Sequence, residues 1–268
     1  MRASLPAGIL LLWGLAALLA GVPWLAPDSI RLELILASPW EAGGLGYDDL
    51  GRPLLDRVIA GAGTSFWVAL WVVSLSATAG TLIGSVSGYL GGRVDRVLVH
   101  VIDIFLAFPG ILLAIALAGI LGPGIGNLVI ALSLVGWVGF ARLARAQVLS
   151  LKQREHVAAA VALGSRRRWI ILRHLIPLLS APLIVEATFG VASIVIAEAG
   201  LSFLGLGVQP PAASWGSMIR DGTRYLLVAP HMVLVPGLAM LLVVLAVNLL
   251  GDRLRDRMDV RLRGLNEV

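Results

Sequence analysis

Cysteine is absent from this 268-residue chain, which removes disulfide frameworks, thiolate metal sites and cysteine nucleophiles from consideration. Charge is scarce as well: Asp, Glu, Lys and Arg make up 14% of the residues, against about 25% in an ordinary soluble domain. The sequence-local motifs of enzymes are also missing. The four histidines, His100, His156, His174 and His231, have no zinc-ligand spacing. Neither a Gly-x-Ser-x-Gly elbow nor a Gly-x-x-x-x-Gly-Lys-[Ser/Thr] phosphate loop occurs. No catalytic residue, metal site or cofactor is therefore expected in the chain itself.

What is abundant is apolar. Hydrophobic residues make up 58% of the chain, and at about 20 residues per crossing of a hydrocarbon core of roughly 30 Å the length accommodates about six crossings. The longest polar interval, residues 27–64, has 38 residues and is broken by Leu and Ile, too few to hold a core of its own. An all-α polytopic membrane protein is the expected fold class. Candidate spans lie near residues 6–26, 66–90, 97–121, 128–150, 175–199 and 228–250. The first has the charge and small-residue pattern of a signal peptide, but Trp24 and Leu25 extend it towards spanning length, so it is read as retained. The expected organisation is an N-terminal transmembrane helix at 1–27 and an extracytoplasmic segment at 28–65. A core transmembrane domain follows at 66–251, with a cytoplasmic loop at 150–176, and a cytoplasmic tail at 252–268.

The formal net charge of +5 is resolved by where the cations fall. With the N-terminus inside, sixteen of the 21 Lys and Arg residues lie on the cytoplasmic side, and only Arg31, Arg52, Arg57, Arg220 and Arg224 lie outside. That asymmetry orients both termini to the cytoplasm. A nucleic-acid partner is excluded, because loops between apolar spans do not form one basic surface with interleaved aromatics.

Gly80, Gly84, Gly88 and Gly92 recur every four residues, a small-residue stripe that lets another helix backbone approach closely. Pro109 falls midway along the third span and is expected to kink it, as a gate or as a static bend. Asp103, Glu186 and Glu198 fall within spans, where an ionised carboxylate costs about 2.5–3.5 kcal/mol or more unless it is paired or hydrated. Asp103 and Glu198 are candidates for a polar pathway and equally for helix–helix hydrogen bonds, and Glu186 for the second role. His100 precedes Asp103 by three residues on nearly the same face and is read as a packing residue.

Between the fourth and fifth spans, residues 155–163 favour a short helix that Gly164 can end in a left-handed conformation. Ala158, Ala159, Ala160 and Ala162 leave it a low-relief surface suited to a groove in another protein, with Arg and Lys around it. A plain amphipathic connector is the other reading. Here the chain resembles the permease subunits of ABC importers, in the dipeptide, oligopeptide and nickel branch. Their cytoplasmic loop reads Glu-Ala-Ala, three residues, Gly, nine residues, Ile-x-Leu-Pro. Ala159, Ala160, Gly164 and Pro177 keep that spacing, Ala158 stands at the Glu position with Glu155 one turn earlier, and His174 and Ile176 stand at the Ile and Leu positions.

The resemblance runs over about residues 44–263. Leu45-Gly-Tyr-Asp-Asp-Leu-Gly-Arg-Pro-Leu-Leu-Asp-Arg57 is similar to a signature that precedes the branch's second helix, with Tyr47, Pro53 and Asp56 as departures. Gly88-Tyr-Leu-Gly-Gly-Arg-Val-Asp95, Asp103-Ile-Phe-Leu-Ala-Phe-Pro109, the stretch from Glu198 through Gly216, and Asn248-Leu-Leu-Gly-Asp-Arg are similar too. The resemblance implies a type I importer permease fold in a bacterial inner membrane. It implies a homologous second permease, two cytoplasmic ATPases that carry ATP and Mg, and an extracytoplasmic substrate-binding protein. Coupling would run through Glu155, Ala158, Ala159, Ala160, Gly164 and Pro177, and the solute would be a di- or oligopeptide, nickel or another small solute. Two other classes remain: an ion-coupled secondary transporter using the intramembrane acids, and a non-transporting scaffold. The segment from Leu201 to Arg224, with Gly205, Gly207, Pro210, Pro211 and Trp215, is expected to form a folded external loop that meets the binding protein, with Trp215 as the point to probe, or caps the pathway, or serves only as a rigid turn between spans.

Overall fold

The computed structural model describes residues 4–22 and 25–258. Among the described residues the long apolar segments are helical: α1 is Ser4–Leu19, α2 Leu54–Leu90, α3 Gly92–Leu106, α4 Gly110–Leu121 and α5 Ile125–Leu151. They are followed by α6 Glu155–Ala162, α7 Arg167–Phe203, α8 Trp215–Thr223 and α9 His231–Met258. Among the described residues the only β pairing is an isolated Tyr47–Pro53 bridge.

Four helices, α2, α5, α7 and α9, are long and apolar enough to cross a membrane, and α3 with α4 makes a fifth crossing if the bent pair is one span. The expected count of about six differs at the N-terminus. Helix α1 has 16 residues, about 24 Å at 1.5 Å per residue and short of a hydrocarbon core of roughly 30 Å. Residues 23 and 24, which extend the expected first span, lie outside the described residues, as do residues 259–268 of the expected tail.

The breaks have local causes. Gly91 and Gly92 hold φ of +67° and +59°, backbone angles that only glycine adopts freely, so α2 stops at Leu90 and the chain turns into α3. Gly92 therefore forms part of a corner and does not extend the packing stripe, and a Cβ there would meet nothing within 4 Å. At Pro109 the expected kink is a complete break, with α3 and α4 bent by 86°. Proline supplies no N–H and pushes the preceding residue out of helical angles. Pro177 acts more mildly inside α7: Ile170–Leu175 widens to a π-helix and Ile176–Leu179 tightens to a 3-10 turn. The missing N–H and the ring's clash with the carbonyl four residues back require that adjustment.

The chain divides into two units. One comprises the chain up to Trp71, Ile115–Leu132 and Val191–Leu250. Its core gathers Trp13, Leu54, Ala62, Val195, Trp215, Met218, Met232 and Val243. Trp13 Nε1 donates to Ala62 O at 3.1 Å and Trp215 Nε1 to Val58 O at 3.1 Å, so both indoles are buried with their donors satisfied. Before α2, Asp48 is 4% exposed and Arg57 4% exposed. Asp48 Oδ2 pairs with Arg52 Nε at 2.7 Å and Arg57 Nε at 3.4 Å. Burial, and next the charge of Asp48, push the Asp49 carboxyl above the ordinary aspartate range. On α9, Leu234, Leu238, Leu241 and Leu245 form an exposed apolar stripe at helical spacing, which water would penalise and lipid accepts.

The other unit comprises Val72–Ala114, Ser133–Gly190 and the chain from Gly251. Here the stripe works as expected at three of its four positions. A Cβ at Gly84 would collide with Ala141 O, one at Gly80 with Trp137 O, and one at Gly88 would lie 2.9 Å from Arg145 O. Helix α2 thus lies backbone to backbone on α5, the close approach that drives association in lipid. Replacing Gly84 with Val should cost about 1–3 kcal/mol by overpacking against a backbone that cannot yield. A lowered thermal midpoint of the purified protein in detergent is the expected result, and an unchanged midpoint would contradict this contact.

Candidate functional site

The short helix expected at 155–163 is present as α6, Glu155–Ala162, after an extended Arg154. Its end is a Schellman motif: Ser165 N donates to Ala160 O at 3.0 Å and Gly164 N to Val161 O at 2.9 Å. Gly164 adopts φ +75°, the left-handed angle this cap requires. Val157 and Ala160 face inward and pack with Ala144, Val148 and Leu151 of α5 and Ile170, Ile171 and Leu175 of α7. Ala158, Ala159, Val161 and Ala162 are exposed, and Leu163 at the helix end is 86% exposed.

The expected low-relief surface therefore exists with one correction. Ala160 is buried beneath it, because Val157 and Ala160 share the inner face at i, i+3 spacing. Small residues serve both sides of the helix, letting it sit close to its own bundle and leaving a shallow outer surface. Glu155 is exposed in the first turn, where its charge complements the positive end of the helix dipole. Around α6 stand exposed Arg166, Arg167, Arg168 and Arg173, the last with its guanidinium 5.0 Å from the Trp169 ring centroid. Pro177 stands where the π-helical stretch gives way to the 3-10 turn, two turns beyond Trp169.

The intramembrane acids separate into three environments. Asp103 is exposed on α3, shortly before the break at Pro109. His100 Nδ1 lies 2.7 Å from Arg96 O, so that ring is tied to its own helix. Glu186 lines a cleft of about 670 Å³ together with Gln147, Arg154 and Arg255. Its carboxylate lies against Gly139, where a Cβ would come within 2.9 Å of Oε1. Glu198 is fully buried. Ser65 Oγ donates to its Oε2 at 2.9 Å and Ser202 Oγ to its Oε1 at 2.8 Å. Ser202 Oγ in turn accepts from Val208 N at 3.2 Å. Glu198 thus joins α2, α7 and the segment that follows α7 through hydrogen bonds, as burial of a polar group requires.

The segment expected as an external loop folds into a turn over 204–214 and helix α8. Trp215, the candidate contact for a partner, is 2% exposed and belongs to the core. Gly216 is needed there because a Cβ would collide with Ala199 O.

One polar cluster shows in the sequence only as the Asp95 that closes the Gly88–Asp95 motif, and its partner does not show at all. Asp95 of α3 accepts two bonds from Arg145 of α5, at 2.5 Å from Nε and 2.7 Å from Nη2, and a third from Ser87 Oγ at 2.8 Å. Asp95 and Arg145 are 50 residues apart, so no local spacing reveals the pair.

The binding-protein-dependent transport system inner membrane component family matches residues 80–264. The chain is 41% identical over 235 residues to the dipeptide transport system permease protein DppC of Alkalihalophilus pseudofirmus, covering 88% of this chain and 76% of that one. It is 42% identical over 219 residues to the glutathione transport system permease protein GsiD of Escherichia coli O157:H7, covering 82% and 72%. Against the di/tripeptide transport system permease protein DppC of Pseudomonas aeruginosa the identity is 40% over 250 residues, covering 90% and 82%. Among solved structures, an inward-facing form of the MetNI methionine ABC transporter superposes with a TM-score of 0.56. The identity is 19%, covering 76% of this chain and 97% of that one.

Proposed function

Because the chain belongs to the binding-protein-dependent transport system inner membrane component family, and is thus a permease subunit of an ABC importer, we propose that it passes di- or oligopeptides across the inner membrane. The family is a transport family and not an enzyme family, and it works with ATPase and substrate-binding partners. In the proposed assembly a homologous second permease completes the pathway. ATP and Mg sit on two cytoplasmic ATPases, and α6 lies in a groove of one of them. Closure of the ATPase pair would displace α6 and, through it, the helices that alternate access. The alanine face of α6, pinned from beneath by Val157 and Ala160, is the observation that supports this coupling role.

The peptide reading draws on relatives whose names specify dipeptide, di/tripeptide and glutathione transport. All three solutes carry a peptide bond, a free ammonium and a free carboxylate. Purified with its partner permease, ATPases and binding protein and reconstituted in proteoliposomes, the chain should support ATP-dependent uptake of labelled dipeptides. Unlabelled tripeptides or glutathione should compete. Uptake of nickel with no uptake of any peptide would overturn the substrate assignment and leave the coupling role standing.

A further inference from the structure

We propose that Asp95 and Arg145 are positioning residues for energy coupling, and that their ion pair transmits the displacement of α6 to the broken helix α3–α4. The inference rests on the reading of α6 as the helix that meets the ATPase. Its own evidence is a set of polar contacts at the inner end of α5, apart from α6 itself.

Two contacts fasten the corner between α2 and α3 to the end of α5, and a third ties α2 to α3 within the corner itself. Arg145 grips Asp95 with two nitrogens, at 2.5 and 2.7 Å. Ser87, near the end of α2, donates to the same carboxylate at 2.8 Å. Lys152 Nζ donates at 2.8 Å to Gly88 O, in the last turn of α2, where carbonyls run out of partners within the helix. A bidentate guanidinium fixes orientation as well as distance, which a single ammonium contact does not.

The fastened corner lies between the two parts that have to move together. On one side only Gln153 and Arg154 separate Lys152 from α6, and Val157 and Ala160 pack with Val148 and Leu151. On the other side α3 runs along α5: Leu98 and Ile102 pack with Val138 and Ala141. Phe105 meets Trp137 edge to face at 5.6 Å. Those apolar contacts are non-directional and permit sliding. The Asp95 clamp removes that freedom at one end of α3, so a shift of α5 passes along α3 to the break at residues 107–109. There Asp103 and Phe108 are exposed and the backbone turns by 86°. The Gly91–Gly92 corner supplies the pivot, since both residues have positive φ and no side chain to restrain them.

The test uses the complete transporter in proteoliposomes, with the number of assembled complexes measured for each variant. Asp95→Asn should keep ATP hydrolysis within a factor of about two of the wild type while uptake falls about tenfold, so that ATP consumed per solute rises. Arg145→Lys, which keeps the charge and loses the fork, should shift the same ratio in the same direction. The exchange D95R/R145D should restore the ratio at least in part. A purely stabilising pair predicts something else: fewer complexes, with hydrolysis and uptake falling in parallel. That result, or unchanged uptake in both single variants, overturns the inference. If Asp95→Asn does not assemble, the ratio measured in Arg145→Lys decides between the two. Measuring Ala159→Arg alongside keeps the two readings apart. Intact coupling in that variant overturns the docking role of α6, whereas lost coupling there with none lost in Asp95→Asn or Arg145→Lys overturns the clamp alone.

Discussion

Ala159→Arg should leave ATP hydrolysis by the assembled transporter running while uptake drops about a hundredfold, near the upper end of ordinary coupling energies. Arg is almost as good a helix former as Ala, so α6 itself survives the change. Ala159 lies away from the buried Val157 and Ala160 and is exposed, so the new side chain projects from the outer face without disturbing the seat of the helix. A long cation on a face built from alanines prevents close approach of a partner groove. Ala160 would be the wrong choice for this experiment. It is 6% exposed, and a bulky residue there would lift α6 off its own bundle and confuse misfolding with uncoupling. Ala159→Ser, small and neutral, is the control expected to retain uptake. ATPase rate and labelled-peptide uptake are read on the same vesicles. Uptake above half of wild type in Ala159→Arg would remove α6 from the coupling path.

The largest effect on stability is expected from Asp48→Ala. Asp48 Oδ1 accepts from Leu50 N at 2.9 Å and Arg52 N at 2.8 Å. Its Oδ2 takes Arg52 Nε at 2.7 Å and Arg57 Nε at 3.4 Å. Removing it leaves two buried guanidinium groups facing each other. The counter-charges that remain are weaker: Asp28, 3.3 Å from Arg57 with a half-exposed side chain, Asp49 at 3.9 Å from Arg52, and Asp221, which lines the same small cavity. Losing one partner of a buried pair costs about 3–5 kcal/mol, a large share of a total stability of roughly 5–15 kcal/mol. The expected outcome is a lower thermal midpoint in detergent and a reduced amount of protein in the membrane. Asp48→Asn keeps the backbone acceptor and loses the charge, so it should fall between the two. Equal midpoints for Asp48→Ala and wild type would show that the cluster contributes nothing net.

Much of this architecture is legible in the amino-acid order because its determinants are local. Residues 155–163 announce helix α6 and Gly164 its terminus, since both depend on propensity and on one backbone angle. The close packing at Gly80, Gly84 and Gly88 follows from a four-residue spacing that any helix converts into a stripe. The same spacing misleads at Gly92, because two consecutive glycines offer the chain a corner as readily as a stripe, and spacing does not distinguish them. Pro109 is recognisable as a disturbance. The extent of the disturbance, a break rather than a kink, depends on what surrounds the vacated hydrogen bonds.

Side-chain environment is much less accessible. Asp103 and Glu198 look alike in the sequence, each an acid within an apolar run. One is exposed beside a helix break, and the other is enclosed with both oxygens held by serines 133 and 4 residues away in the chain. Trp215 gives a similar lesson: a Trp in a loop rich in Gly and Pro invites an external partner, yet its indole is buried on Val58 O.

Hydropathy, spacing and motif are properties of short stretches of chain. They suffice to set the solvent in which this protein folds, most of its long helices and the family to which it belongs. Which alanines of α6 face outward, which acids are enclosed, and that Asp95 holds Arg145 emerge only once the helices have packed. Each of those outcomes is a contact between residues far apart in the chain. Its energy depends on burial and on the direction of a hydrogen bond, and neither is defined before the tertiary fold exists.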